Sequence, residues 1–155
     1  MKIMIELSGL SSYTRLDIAR KTVNKSALTK LAQDDVSDVR CAVAENENTP
    51  AKALAKLAQD EDREIRQVVA LNENTHTKIL EKLAEDKVWN VRLAVAINQN
   101  SDDSILSKLA TDSCNEIRYA VAMNLSTTVE ILELLAQDEV DSVRDAAKER
   151  LSQFK

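Results

Sequence analysis

The fold is decided by the stretch VRCAVAENENTPAKALAKLAQD at residues 39–60, because its landmarks return at one fixed interval along most of the chain. The phrase LAQD, or a close variant, begins every 26 residues. An arginine follows six residues after its aspartate, and an alanine–valine run ending in asparagine follows each of the first four arginines. Five phased copies of this kind indicate a repeat protein. The phrases begin at Leu31, Leu57, Leu83, Leu109 and Leu135, and the arginines are Arg40, Arg66, Arg92, Arg118 and Arg144.

The first helix of each repeat is predicted by the segment KALAKLAQ, in which Leu54, Leu57 and Ala58 share one face at i, i+3 and i+4. Thr49 is predicted to be its N-cap and Pro50 its first helical residue. The same cap is expected at Thr75, Ser101 and Thr127.

The second helix is predicted by DVRCAVAEN, with Val39, Ala42 and Val43 on its inner face. Asn46 is predicted to end this helix, because asparagine tolerates the left-handed conformation in which helices often stop. The helix is short enough to be partly 3₁₀. The equivalent asparagines are Asn72, Asn98 and Asn124.

A single two-helix unit cannot bury its apolar face alone, whereas stacked units form a solenoid with a continuous core. The sequence therefore predicts an all-α helical-repeat solenoid with two short helices per 26-residue unit. The segment VRDAAKERLSQF lacks the asparagine and is predicted to cap the C-terminal end. We expect an N-terminal cap or tail at 1–14 and one helical-repeat domain at 15–155, with units at about 15–38, 39–64, 65–90, 91–116 and 117–142 and a capping helix at 143–155.

The unit V/I-R-x-A/V-V-A-x-N-x-N-T-P-x-x-x-L-x-x-L-A-x-D resembles the leucine-rich-repeat-variant family and, more distantly, HEAT repeats. The resemblance is clearest at residues 39–60 and covers about residues 15–151. It implies a right-handed solenoid in which α-helices alternate with shorter, partly 3₁₀ helices, and a scaffold that presents surfaces rather than one activity. Some members of the family carry an N-terminal cysteine cluster that binds an iron–sulfur centre. This chain lacks those cysteines, so the resemblance implies no cofactor.

The composition argues against several classes of site. The chain has 155 residues with one glycine, one proline, one histidine and two cysteines. A phosphate-binding loop needs closely spaced glycines, a Ser-His-Asp triad could draw only on His76, and Cys41 and Cys114 are too far apart for a CxxC zinc site. We therefore expect no catalytic, cofactor-binding or metal-binding residues and a protein that is not an enzyme, with a HEAT-like hydrolase or lyase as a remaining alternative.

The sequence also bears on where the protein acts. The segment MKIMIELSGLSS has too short an apolar run for a signal peptide, and no segment reaches the roughly 20 apolar residues of a membrane-spanning helix. These features, with two cysteines expected to be reduced, predict a cytoplasmic protein with no membrane partner. The net charge of −5 makes nucleic acid an unfavoured partner.

The recurring aspartates and arginines have two interpretations. They could be acid–base or anion-binding groups, or they could form a structural ladder. In a ladder each aspartate caps the following helix or pairs with an arginine of its own or a neighbouring unit. Catalytic groups occupy one special environment, whereas these residues recur in every unit, so the pattern favours the ladder.

A row of lysines carries the main alternative function. Stacked units would place these side chains on a ridge that could follow a phosphate backbone, as in a nucleic-acid-binding solenoid. Glu81, Glu85 and Glu133 interrupt the row, which favours a solvated helix face whose long stems cover apolar neighbours. The lysines are Lys30, Lys56, Lys82 and Lys108, with Lys52 and Lys78 one turn earlier.

The only tryptophan is predicted to lie on a binding surface. On a helical wheel Trp89, Leu93 and Ile97 form an i, i+4, i+8 stripe that points away from the core. Apolar residues occupy the equivalent positions in the neighbouring repeats, and an apolar, aromatic centre within polar surroundings is typical of a protein–protein interface. We expect a scaffold or adaptor that binds another protein through Leu71, Trp89, Leu93, Ile97, Tyr119 and Met123.

The two ends of this surface are polar. Glu45 lies at one end, and Asp141, Asp145 and Glu149 lie at the other, which predicts a partner with an apolar centre and basic flanks. Three other interpretations remain open. The face could be buried by a more tightly curled solenoid, it could mediate self-association in a homo-oligomeric structural module, or Trp89 could fold back over the start of its own helix.

Overall fold

The computed structural model describes Leu7 and residues 9–154. Within these residues the chain forms eleven α-helices and no strands, which confirms the predicted all-α helical-repeat fold. The helices are α1 (Ser12–Lys21), α2 (Lys25–Leu31), α3 (Ser37–Glu45), α4 (Ala51–Leu57), α5 (Arg63–Leu71), α6 (Thr77–Leu83), α7 (Trp89–Ile97), α8 (Asp103–Leu109), α9 (Asn115–Met123), α10 (Val129–Leu135) and α11 (Asp141–Ser152).

Two kinds of helix alternate with the 26-residue period of the sequence. We call α2, α4, α6, α8 and α10 the short helices, since each has seven residues, and α3, α5, α7, α9 and α11 the long helices. The first four long helices have nine residues and are α-helical throughout, so of the two helix types left open by the sequence the structure has the α-helix. Runs such as RLAVAIN contain no glycine or proline that would interrupt the hydrogen bonds between residues four apart.

The core lies between the two layers of helices and runs through the stack. Each short helix buries leucines, such as Leu54 and Leu57 in α4, and each long helix buries small residues, such as Val39, Val43 and Ala44 in α3. The small side chains let successive long helices pack closely, whereas successive short helices contact each other much less. The long helices therefore form a closely packed layer with one side against the core and the other side exposed.

Asparagine ends each of the first four long helices, as predicted, but for a different reason. Asn72 follows α5 with a φ of −66°, and among the described residues only Gly9 has a positive φ. The buried Nδ2 of Asn72 donates to the carbonyls of Ala44 at 2.7 Å and Asn46 at 3.3 Å in the preceding repeat. Its Oδ1 accepts the N–H of Asn74 at 2.9 Å. We call the series Asn46, Asn72, Asn98 and Asn124 the asparagine ladder.

The predicted N-cap at Thr49 is wrong. Its buried hydroxyl donates to the carbonyl of Val43 at 2.6 Å, in the last turn of α3, and Pro50 takes the N-cap position of α4. The hydroxyl therefore satisfies a carbonyl at the end of the preceding helix instead of an N–H at the start of the next. Thr75, Ser101 and Thr127 make the same bond.

The two ends of the stack differ from the middle. At the C-terminal end α11 runs to Ser152 without an asparagine and buries Val143, Ala146 and Ala147. At the N-terminal end α1 begins at Ser12, inside the segment 1–14 expected to be a cap or tail. Residues 1–6 and 8 of that segment lie outside the described residues, and the division into units remains a prediction. None of the helices described is both long enough and apolar enough to cross a bilayer.

Candidate partner-binding surface

The exposed face of the long helices carries all six residues predicted to bind a partner. Trp89 is the first residue of α7 and is 46 % exposed, and Ile97 at the other end of the helix is 49 % exposed. Leu93, between them, is half-buried and packs against the core. Leu71, Tyr119 and Met123 are exposed to a similar degree on α5 and α9. The interpretation in which a tightly curled solenoid buries this face is therefore wrong.

A groove of about 640 Å³ runs along this face between α7 and α9 and reaches α11 at Ser142. Leu93 and Ile97 line one side, and Tyr119 and Met123 line the other. Polar residues lie at the two ends, with Asn115 and Glu116 in the first turn of α9 and with Gln99 and Asn124 just beyond the helix ends. Four of the six predicted residues thus line one groove, whereas Trp89 and Leu71 extend the apolar face beside it.

One exposed apolar residue on this side was not predicted. Leu125 is 71 % exposed and follows Asn124, the residue that ends α9. Its backbone N–H donates a hydrogen bond to Oε1 of Gln99, a residue that lines the groove. The sequence contained a signal for it, because the same position holds Glu47, Glu73 or Gln99 in the other repeats.

Carboxylates surround the apolar face. Asp38, Glu45 and Glu64 are exposed at the N-terminal side, and Asp145 and Glu149 are exposed on α11 at the other. Among the described residues none of these five forms an ion pair, and neither does Glu116 in the groove. Asp141, also expected at the end formed by α11, differs because it pairs with Arg144. We call these six residues the acidic frame. Arg63, at the start of α5, is the basic residue that the first turns of the long helices add to this face.

The recurring aspartates form the predicted ladder with all the recurring arginines except Arg144, which pairs with Asp141 in its own helix. Arg92 Nε donates to Asp112 Oδ2 at 2.7 Å, and Arg92 Nη1 donates to the carbonyl of Asp86 at 2.9 Å, so one arginine connects the loops before and after it. Asp112 also accepts the N–H of Cys114, which begins the entry to α9. The other pairs are Arg15–Asp34, Arg40–Asp60, Arg66–Asp86 and Arg118–Asp138, all at 2.7 Å. We call these five pairs the Asp–Arg ladder.

The ladder perturbs its carboxyls in one direction. Burial alone would raise the pKa of Asp60, but hydrogen bonds from the Arg40 guanidinium and the Asp62 N–H outweigh burial, and the pKa of Asp60 lies below its ordinary value. The pKa values of Asp34, Asp86, Asp112 and Asp138 are lowered as well. Every carboxyl in the ladder is thus held as an anion by its own arginine, which is a structural role.

The cysteines are packing residues in this fold. Burial, with a smaller contribution from nearby Glu45, raises the pKa of the Cys41 thiol and makes it a poorer nucleophile. Burial and a hydrogen bond to Glu116 likewise raise the pKa of Cys114. The part of the chain that the structure describes contains no cluster of three His, Cys, Asp or Glu residues suited to a metal ion.

The lysine row lies on the short helices, away from the groove. Lys30, Lys56, Lys82 and Lys108 are all exposed. Lys108 pairs with Glu85, however, and exposed Leu134 occupies the equivalent place in α10. A row that is partly neutralised and ends in an apolar residue is a weak track for a phosphate backbone.

Comparisons with known proteins agree with this architecture. Residues 38–62 match the family described as leucine rich repeat variant, which confirms the resemblance seen in the sequence. The structure is similar to a solved leucine-rich repeat variant with a repetitive structural motif, at 23 % identity and a TM-score of 0.50, over 94 % of this chain and 78 % of that one.

Two further solved structures share the fold. An engineered protein from a structural genomics consortium has 18 % identity and a TM-score of 0.52, over 90 % of this chain and 86 % of its own. A designed armadillo repeat protein has 17 % identity and a TM-score of 0.52, over 92 % and 91 %. A search of curated proteins found no match. These similarities support a helical-repeat fold.

Proposed function

We propose that this protein is a non-enzymatic interaction scaffold or adaptor of the cytoplasm that binds a peptide or helix of a partner protein. The surface proposed to bind comprises Leu71, Trp89, Leu93, Ile97, Tyr119 and Met123. The groove between α7 and α9 is the observation that carries the proposal, since its middle is apolar and its ends are polar.

Apart from Leu93, which packs against the core, the apolar face is not explained by folding. The core is filled by the opposite sides of the same helices, for example Val91 and Val95 in α7 and Val121 in α9, which are fully buried. Aromatic and methionine side chains left exposed to water weaken solubility, so a continuous patch of them indicates a surface that is covered during function. Tryptophan and tyrosine are also the residues that contribute most to binding energy at interfaces.

The proposal is tested by Trp89→Ser combined with Ile97→Gln, two exposed residues of the patch. We expect the variant no longer to capture the proteins that the wild-type chain captures. Its thermal unfolding, followed by circular dichroism, should stay close to that of the wild type. The matched control is Leu134→Gln with Val23→Ser, which removes exposed apolar side chains outside the patch and should leave capture unchanged. Capture that survives the patch variant, or a patch variant that fails to fold, would contradict the proposal.

A further inference from the structure

The partner that fits this surface can be specified further, on the basis of the proposed function. We infer that the groove between α7 and α9 binds an α-helix that is apolar along one side and carries lysine or arginine at its flanks. The inference follows from two properties of the groove: the chemistry of its walls and the charge around it.

The walls favour a helix over an extended peptide. The middle of the groove is formed by the side chains of Leu93, Ile97, Tyr119 and Met123 on two helices, whose own backbone groups are already hydrogen-bonded. An extended peptide would bury unpaired N–H and C=O groups against these side chains, whereas a helix satisfies its own. The groove follows α9, which is about 14 Å long, so it matches an anchor pattern of i, i+3 or i+4, and i+7.

The charge around the groove selects a basic helix. Glu116 lies at one end of the groove, and Asp145 and Glu149 on α11 continue the rows of Tyr119 and Met123 one repeat later. None of these three carboxylates has an ion-pair partner among the described residues. Basic side chains on a bound helix would therefore meet unneutralised carboxylates at one end and along one side, which speeds association and fixes orientation.

The same charge disfavours a second copy of this chain on the groove. A symmetric dimer would bring two copies of the acidic frame face to face, and like charges placed together across an interface are unfavourable. A copy that presents its lysine row to the groove would escape this repulsion. The experiment therefore measures the oligomeric state as well as peptide binding.

The test selects displayed random peptides of about 16 residues, roughly four helical turns, on the full chain. Clones that also bind the Ile97→Ser, Met123→Ser double variant are discarded, and circular dichroism verifies that this variant folds. We expect the remaining peptides to carry apolar residues at i, i+3 or i+4, and i+7 with lysine or arginine beside them. A proline placed in the middle of such a peptide should abolish binding, because it breaks the helix.

A charge-reversed protein gives a second test. Glu116→Lys, Asp145→Lys and Glu149→Lys together should weaken binding of the selected peptides by about tenfold or more at low salt. Peptides in which the basic residues are replaced by glutamate should bind the reversed protein better than the wild type. Glu81→Lys with Glu133→Lys, on the short helices, is the control and should have no such effect.

The failures are distinguishable. Patch-dependent peptides that tolerate proline, or that are acidic or neutral, would overturn the basic-helix inference and leave the proposed scaffold function standing. Sedimentation equilibrium could instead show that the wild type is a dimer and the double variant a monomer. The occupant of the groove would then be a second copy of this chain, and the basic-helix inference would be overturned. Selection that returns no patch-dependent peptide would overturn both the inference and the proposed function.

Discussion

At the scale of single residues, each arginine of the Asp–Arg ladder makes several hydrogen bonds to two different loops. Arg92 binds a side chain of the next loop and a backbone carbonyl of the previous one, so it holds two connections at a fixed distance. Asp112 in turn has an arginine on one side and a backbone N–H on the other. Removal of one member of such a pair is strongly destabilising, because the charge of the other member is then buried without a partner.

We predict that Arg92→Ala lowers the free energy of unfolding by about 2 to 3 kcal/mol, because it leaves the carboxylate of Asp112 buried without its cation. The effect should fall short of that for a fully enclosed pair, since the Arg92 side chain keeps 17 % exposure. Urea unfolding measures it. Arg63→Ala, an exposed arginine outside the ladder, is the control and should change stability little. If the Arg92→Ala variant unfolds at the same urea concentration as the wild type, the structural role of the Arg92–Asp112 pair is contradicted.

Trp89 reports on its own surroundings, because it is the only tryptophan. With 46 % of its surface exposed, we predict red-shifted emission and efficient quenching by acrylamide in dilute protein. Addition of a bound partner should shift the emission to the blue. Blue-shifted, protected emission in dilute protein without a partner would instead mean that the patch is covered by a second copy.

At the scale of the elements, the loop after each of the first four long helices is organised by a buried asparagine amide. The amide is required because it donates on one side and accepts on the other: Asn98 Nδ2 donates to Ala70 and Asn72, and its Oδ1 accepts the N–H of Asn100. A carboxylate has the same shape but no donor.

We predict that Asn98→Asp destabilises the fold by about 3 kcal/mol or more, since it would place a buried carboxylate against two carbonyl oxygens. Thermal and urea unfolding should both show the loss. Asn115→Asp makes the same chemical change at the exposed first residue of α9, where a negative charge is neutral or slightly favourable. Equal stability of the two variants would contradict the role assigned to the asparagine ladder.

The helices themselves could be predicted from the sequence, and their connections could not. The 26-residue phase and the inner-face pattern of each helix, such as Val39, Ala42 and Val43 in α3, located both helices of a repeat, because burial of apolar faces is a local periodic property. The hydrogen bonds of Thr49 and Asn46 were predicted wrongly, because each side chain has possible partners both in its own repeat and in the neighbouring one. That choice depends on how closely the repeats stack.

The candidate site divides in the same way. The wheel placed Trp89, Leu93 and Ile97 on the face away from the core, and the repeat phase placed their neighbours beside them. The depth of the groove and the position of Glu116 within it depend on the spacing between α7 and α9, which no single repeat encodes. Leu125 was missed because it lies in a turn, outside the helical wheel.

At the scale of the whole molecule, the Asp–Arg ladder makes the stability depend on pH. The pKa of each ladder aspartate is lower in the fold than its ordinary value, because its arginine and a backbone N–H outweigh burial. A carboxyl group whose pKa is lowered by folding contributes its full stabilisation at pH values above its unfolded pKa of about 3.9. That contribution is lost as the pH falls through the lower folded value.

We predict that the melting temperature is nearly constant from neutral pH to about 5 and falls steeply below about 4, because the ladder aspartates become protonated and no longer pair with their arginines. Calorimetry across this range measures the fall. Asp112→Asn should lower the melting temperature at neutral pH and make the acid-side slope shallower. Glu133→Gln, at an exposed position on α10, should leave the slope unchanged. A wild-type slope that Asp112→Asn does not alter would contradict this origin.

Both ladders join each repeat only to its immediate neighbours, and the residues at the joints are the same from one repeat to the next. Recombination between any two repeats of the gene would therefore yield a chain whose rungs still meet in register. The outward positions of the long helices, which take no part in either ladder, are free to diverge after each duplication. Such a chain can acquire a new binding specificity, or a longer exposed face, by inheritance of whole repeats and without the origin of a new fold.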